Sequence, residues 1–354
     1  MSTPQKSAAI QSRLWFILTM LVCAAGLWLV RHQRSHRQVV LIKKQPSKTK
    51  APSNTRAAAP SEVTPQDEAP VKPQPAVWQE REPTDSSDPV PHQAYRLLNG
   101  TEQWRLVGAS RRGKMHAHQG DYREDAFAIE AVGSWHLVAV SDGAGSYPLS
   151  RVGSHLAVET AVTKMKEILS AEPELLPERL PQVLDEALQA AYASIQLEAK
   201  RRELPIKEFS ATFLLLVHGV TNQGHIIGST QVGDGLIAIK YQDGAIEPLA
   251  ERDSGTYGGE TFFLTSKPVE AWLGRSTVHR LEQPPKFLVV MSDGVADDFI
   301  PYEKHLAGLF RSLTEVVTYS DRDVAETLLQ LIGYEKRGSF DDRTLVMVYQ
   351  KSQT

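Results

Sequence analysis

The sequence predicts an α+β domain with mainly antiparallel sheet, preceded by one transmembrane helix. Three observations predict it. Short apolar strands come in runs joined by hairpin turns, with helical patterns grouped between the runs. Two long segments place apolar residues at spacings of four, three and four, the period of an amphipathic helix. The stretch Leu14 to Val30, LWFILTMLVCAAGLWLV, is 17 residues without a charge.

Taken in chain order, residues 1–13 form a short tail and residues 14–30 the anchor. At 1.5 Å per residue the anchor spans roughly 25 Å, enough to cross a thin bilayer. Trp15 and Trp28 lie near its ends, where interfacial aromatics sit. A cleaved signal peptide is the rival reading, but Arg31-His32-Gln33-Arg34 follows instead of a small-residue cleavage site. Lys6 and Arg13 precede the segment, whereas Arg31, Arg34, Arg37, Lys43, Lys44, Lys48 and Lys50 follow it. The more basic flank belongs in the cytoplasm, so the bulk of this single-pass membrane chain is expected there.

Residues 31–92 are basic and then proline-rich, with ten prolines between Pro46 and Pro91. So few apolar residues cannot offset the entropy of folding, and a semi-extended flexible linker is expected. A proline-rich docking site is the alternative. Residues 93–354 then form one domain of ordinary size. The net charge of -3 gives no support to a nucleic-acid partner, and the lone Cys23 excludes an internal disulfide or a cysteine zinc site.

Within the domain, strands are expected at Trp104–Ala109, Ala126–Ala131 and Trp135–Ser141. One helix carries Val158, Val162, Met165 and Leu169, and the next carries Leu184, Leu188, Ala191 and Ile195. Strands return at Ala211–Val217, His225–Gly228 and Leu236–Tyr241, and Asp243-Gly244 turns the chain into Ile246–Leu249. Phe287–Met291, a helical region from Tyr302 to Gly333 and a last strand at Thr344–Tyr349 complete the domain. No repeat, GxGxxG or P-loop occurs.

Chemistry collects where apolar strands end. Leu137 to Val140 runs into Ser141-Asp142-Gly143, and Leu288 to Met291 runs into Ser292-Asp293-Gly294. Glu124-Asp125 opens the strand AFAIEAV, and Asp341-Asp342-Arg343-Thr344 opens LVMVY. Singly, an Asp-Gly is a turn and an Asp-Asp a solvated cap. Gathered at one sheet edge, such carboxylates repel one another, and a divalent cation removes the repulsion. Ligands that are all oxygen select Mg²⁺, Mn²⁺ or Ca²⁺ rather than zinc. Two such ions about 3.5–4 Å apart can bind phosphate and activate a water. Glycine after each aspartate permits a tight turn and lets a carbonyl approach an ion.

The ordered set resembles the metal-dependent protein phosphatases, the type 2C Ser/Thr phosphatase family. Its pieces are GASRRGKMHAHQGDYREDA (108–126), VSDGAGS (140–146), Ser210-Ala211-Thr212, Val232-Gly233-Asp234, MSDGV (291–295) and DDRT (341–344). The resemblance implies a four-layer α/β/β/α sandwich with two central sheets and two ions, Mn²⁺ or Mg²⁺, at one edge. It implies that Asp142 bridges the ions and that Asp293 and Asp341 complete one of them. Glu124 and the Gly143 carbonyl would complete the other, with Asp125 holding ion-bound waters. Asp297 fits a third, weaker ion. The implied reaction is hydrolysis of phosphoserine and phosphothreonine in proteins phosphorylated by a Ser/Thr kinase. Two departures stand out. Gly120 and Asp121 replace the usual phosphate-holding arginine, leaving Arg123, Arg111 or Arg112. Ala144 replaces a histidine that protonates the leaving group, for which His116, ahead of His118 in the same loop, is the substitute.

A membrane-anchored phosphatase is therefore the expectation. A low-turnover phosphopeptide-binding or scaffold module on the same fold is the alternative, and loss of an acidic ligand would favour it. None of Glu124, Asp125, Asp142, Asp293 and Asp341 is lost. A two-metal nuclease would favour a basic surface, and the domain has no basic run.

Overall fold

Alternate side chains of each strand face opposite ways, and that alternation builds three apolar layers. The computed structural model describes residues 77–351 apart from 102, 223, 254–260 and 320–322. One sheet has six strands in the order β1 (Gln93–Asn99), β2 (Trp104–Arg111), β11 (Arg343–Gln350), β10 (Phe287–Met291), β7 (Leu236–Lys240) and β8 (Ile246–Pro248). The other has five, in the order β3 (Ala126–Val132), β4 (Trp135–Ser141), β5 (Phe213–Thr221), β6 (Gly224–Val232) and β9 (Thr277–Leu281). Every pairing is antiparallel.

Between the sheets, Val138, Val140, Leu214 and Leu216 meet Ile237, Leu288, Val290 and Val346. On the outer face of the five-stranded sheet, Leu137, Ala139, Leu215 and Val217 pack on helices α2 (Ser150–Ala171) and α3 (Leu180–Arg201). The helical face read from sequence, Val158, Val162, Met165 and Leu169 with Leu184, Leu188, Ala191 and Ile195, is buried there. On the other outer face, Val289, Met291, Leu345 and Met347 pack on α4 (Tyr302–Tyr319) and α5 (Val324–Leu331). The result is the expected α/β/β/α sandwich. Leu288 is fully buried, so truncating it to alanine would cost about 2–5 kcal/mol.

Some elements were not expected. Strands β1 and β9 carry no fully buried residue, which weakens their apolar signal. Helix α1 (Lys114–Gln119) is a turn and a half, too short for a periodic signal. The helical region from Tyr302 is two helices rather than one.

The linker expectation needs correction at its C-terminal end. Residues 77–92 lie on the domain, held by polar contacts rather than by an apolar face. Arg202 forks onto Asp88 at 2.6 and 2.7 Å. Arg151 bonds the Asp85 carboxylate and the carbonyls of Ser87 and Asp88. Trp78 packs against Phe340 with ring centroids 4.6 Å apart. The anchor predicted at 14–30 and the linker before Val77 lie outside the described residues. Among the described residues no helix is long and apolar enough to cross a membrane.

Candidate active site

Register places the acidic residues together. Ala126 pairs with Ser141, so Asp125 and Asp142 leave neighbouring strand ends on the same edge. Met291 pairs with Leu345 on one side and Leu236 on the other. Asp293, Asp341 and Asp234 therefore gather just beyond those ends. Pairing within each sheet and the packing of the two sheets convert five distant sequence positions into one cluster.

The turn at Asp142 is clamped by Ser210-Ala211-Thr212. The Asp142 N–H donates to Thr212 Oγ1 at 2.8 Å, and the Thr212 N–H returns a bond to the Asp142 carbonyl at 2.8 Å. The Ser141 hydroxyl donates to the Thr212 carbonyl. Gly143 must be glycine, because a Cβ there would stand 2.8 Å from Glu124 Cβ and 2.9 Å from the Glu124 carbonyl. Gly294 is required for the same reason: its Cβ would lie 1.9 Å from the Asp342 carbonyl.

Asp342 organises the opposite wall. Its Oδ1 accepts the Gly113 N–H at 2.6 Å and bonds His116 Nδ1 at 2.9 Å. Its Oδ2 accepts the Glu124 N–H at 2.5 Å. Burial alone would raise its pKa, but the His116 bond and charge and these N–H groups bring it below the usual carboxylate value. His116 Nε2 then faces Glu124 Oε2 at 3.8 Å. Burial disfavours the imidazolium, yet Asp342, Glu124 and Asp341 raise the His116 pKa to about 9.

The other carboxylates are pushed upward. Burial, then the charges of Asp293, Asp125 and Asp341, raise Asp142 well above its ordinary value. Burial, then Asp341 and Asp234, do the same to Asp293. Burial raises Glu124 to about 7, and burial with Asp342 raises Asp125 to about 6. Asp125 Oδ2 also accepts the Ser292 hydroxyl at 2.7 Å.

The donor set fits oxygen-ligated cations. Glu124 Oε2, Asp125 Oδ1, Asp293 Oδ1 and Asp234 Oδ1 are buried without a hydrogen-bond partner. An unpaired buried carboxylate oxygen is costly unless a cation or proton meets it. Among the described residues no three such side chains stand as a finished ion cage. Mutual repulsion accounts for that, since bare carboxylates separate or share protons until a cation draws them in. A cavity of about 460 Å³, lined by His116, Gly145, Asp293, Asp297, Phe340 and Asp341, opens onto the cluster.

The arginines expected to hold phosphate lie elsewhere. Arg123 is 3 % exposed and spends its donors on the Pro91 carbonyl, Ser110 Oγ and the Asp125 carbonyl. It pins β2 and the strand end that carries Asp125. Arg112 is buried on His92 and the carbonyls of Asp121 and Arg81. Arg111 is exposed and lines an adjoining cavity of about 320 Å³ with Trp78, Lys114, Tyr334 and Asp341. Asp297, expected beside a third ion, is paired with Arg252 at 2.7 Å. Asp234 was quoted in sequence only as the last residue of the weak motif Val232-Gly233-Asp234 and given no role, because only the pairing of β7 with β10 brings it to Asp293.

A two-sheet sandwich with a carboxylate cluster across one edge defines the class of metal-dependent protein phosphatases. Residues 112–331 match the family model described as protein phosphatase 2C, and the chain belongs to that family of protein serine/threonine phosphatases. Among solved structures, the Mycobacterium tuberculosis serine/threonine phosphatase PstP/Ppp is 20% identical, with a TM-score of 0.50 over 70% of this chain and 99% of that one. The catalytic domain of PstP in complex with two manganese ions is 19% identical, with a TM-score of 0.49 over 70% and 99%. The phosphatase Stp1 from Staphylococcus aureus is 14% identical, with a TM-score of 0.48 over 77% and 98%. At these identities the likeness is one of fold. No curated protein sequence matches the chain.

Proposed function

We propose that the chain is a membrane-anchored, metal-dependent phosphatase that hydrolyses phosphoserine and phosphothreonine in proteins. The observation that carries this reading is the set of buried, unpartnered carboxylate oxygens on Glu124, Asp125, Asp234 and Asp293. Two divalent ions, Mn²⁺ or Mg²⁺, would supply Lewis acidity and an activated water when bound. Asp142, between Asp125 and Asp293, is the residue suited to touch both ions. Asp293 and Asp341 would hold one, and Glu124 with the Gly143 carbonyl the other. Asp125, fixed by Ser292, would orient water. His116, held by Asp342, would protonate the departing serine or threonine oxygen. That role replaces the histidine missing at Ala144.

The solved PstP catalytic domain with manganese lends support to the choice of ion. The uncharged segment 14–30 and its basic C-terminal flank support an anchor with the phosphatase domain in the cytoplasm. The full acidic set argues against the low-turnover binding module, because keeping a carboxylate cluster without its ions is destabilising. The test is metal dependence: chelator should abolish turnover, Mn²⁺ should restore it, and Asp142→Asn should remove it with the fold intact. Full turnover in excess chelator would end this reading.

A further inference from the structure

The cavity of about 320 Å³ beside the carboxylate cluster shares Ser339 and Asp341 with the cavity that opens onto the cluster itself. Register explains the adjacency. Arg111, the last residue of β2, pairs with Arg343, two positions after Asp341. Gly113 lets the chain after β2 pass against Asp341, because a Cβ there would stand 2.3 Å from the Asp341 carbonyl carbon. A peptide held at the cluster therefore passes this cavity within a few residues, since an extended chain advances about 3.3–3.6 Å per residue.

Five arginines and lysines line it, and four are already held. Arg112 lies on His92 and two backbone carbonyls. Arg343 lies on the carbonyls of Ile332 and Tyr334 and on Ser339. Lys114 is paired with Glu335, and Lys336 stands 3.3 Å from Asp298. Arg111 is exposed and makes no hydrogen bond or ion pair among the described residues. Glu335 feels its charge, but the bond to Lys114 is what chiefly holds that carboxyl below its usual value. Gly333 leaves room for the guanidinium, because a Cβ on it would stand 2.5 Å from Arg111 Nη1. One free guanidinium matches one carboxylate, which it grips through two parallel N–H bonds. A phosphate carries nearly twice that charge and would leave part of it beside Glu80 and Glu335 in the same wall.

We infer that this cavity takes an acidic side chain of the phosphoprotein, a few residues from the phosphoserine or phosphothreonine, and that Arg111 sets the preference for it. This use of the cavity rests on the phosphatase reading above.

Phosphate release by the full-length chain with Mn²⁺ tests it, on phosphothreonine peptides alike except for one glutamate moved along an alanine background. One placement should raise kcat/KM about tenfold over alanine, as one charge-assisted hydrogen bond does. Arg111→Gln should abolish that preference, and Arg111→Glu should turn it in favour of lysine at the same place. These are ratios within one chain, so a partly unfolded variant does not alter them. A non-hydrolysable phosphonate residue at that place should gain less than glutamate. Equal rates for every placement, a preference that survives Arg111→Gln, or a larger gain from the phosphonate would overturn the inference. Release from no peptide would instead remove the phosphatase reading, and binding of the same labelled peptides, followed by fluorescence anisotropy, would then decide the cavity by the same ratios.

Discussion

His116 Nδ1 and Asp342 Oδ1 stand 2.9 Å apart, and the other oxygen of the same carboxylate accepts the Glu124 N–H. One buried side chain therefore fixes both an imidazole and the backbone of a proposed ion ligand. With Nδ1 committed to Asp342, Nε2 is the nitrogen turned to the site. His116→Ala should slow a phosphothreonine peptide by about 10²–10⁴ and barely change p-nitrophenyl phosphate, whose leaving group departs without a proton. Asp342→Asn should show a smaller loss with the same substrate selectivity. Equal losses on both substrates would assign His116 a binding or structural role.

A second prediction concerns acid stability. His136 and His218 are fully buried and meet at 3.1 Å through their Nδ1 atoms, and His218 Nε2 meets His225 Nδ1 at 3.1 Å. Trp104 packs over His218 at 4.3 Å. Burial lowers the His136 pKa to about 4, and burial with the two neighbouring rings holds His218 well below its ordinary value. The unfolded chain takes up these protons near pH 6.5, while the folded chain does not until near pH 4. Stability is thus fully present above pH 6.5 and falls as pH drops through that window, by roughly 3 kcal/mol for His136 alone. The carboxylate cluster titrates in the opposite sense, so urea unfolding of His136→Gln is the proper reference. An identical pH slope in the two chains would contradict the account.

The segment 77–92 should matter to the domain. A chain beginning at residue 93 leaves Arg123 without the Pro91 carbonyl, Arg112 without the Arg81 carbonyl and Arg202 without Asp88. Each of the buried donors on Arg123 and Arg112 left unpaired costs about 1–3 kcal/mol, whereas the partly exposed Arg202 keeps Glu198. The shortened chain should lose at least about 2 kcal/mol in urea unfolding relative to one beginning before Val77. An unchanged midpoint would return this segment to the linker.

Much of this was legible in the sequence, and the parts that were not share a cause. The nine strands read from sequence, Leu137–Val140 and Leu288–Met291 among them as unbroken apolar runs, could be read because burial on one or both faces writes itself into residue type. So could the four strand-end carboxylate sites, because an acidic residue after an apolar run is unusual. Asp234 and Asp342 were not legible as site residues. Their roles depend on the pairing of β7 with β10 and of β2 with β11, contacts between distant parts of the chain. Arg123 and Arg112 were misplaced for a similar reason: an arginine facing inward onto backbone carbonyls has the same sequence as one facing a substrate.

Topology gives a fourth prediction. Arg31 and the basic residues that follow are expected in the cytoplasm. Protease added to intact cells should leave the phosphatase domain whole. Cleavage of that domain from outside would reverse the orientation and exclude cytoplasmic phosphoproteins as substrates.

The most direct test of the central claim is phosphate release from a phosphothreonine peptide by the full-length chain, measured with excess EDTA and again after Mn²⁺ is added back. The carboxylate cluster predicts no turnover with EDTA, recovery with Mn²⁺, and no recovery in Asp142→Asn or Asp293→Asn. Equal phosphate release with and without EDTA would contradict it.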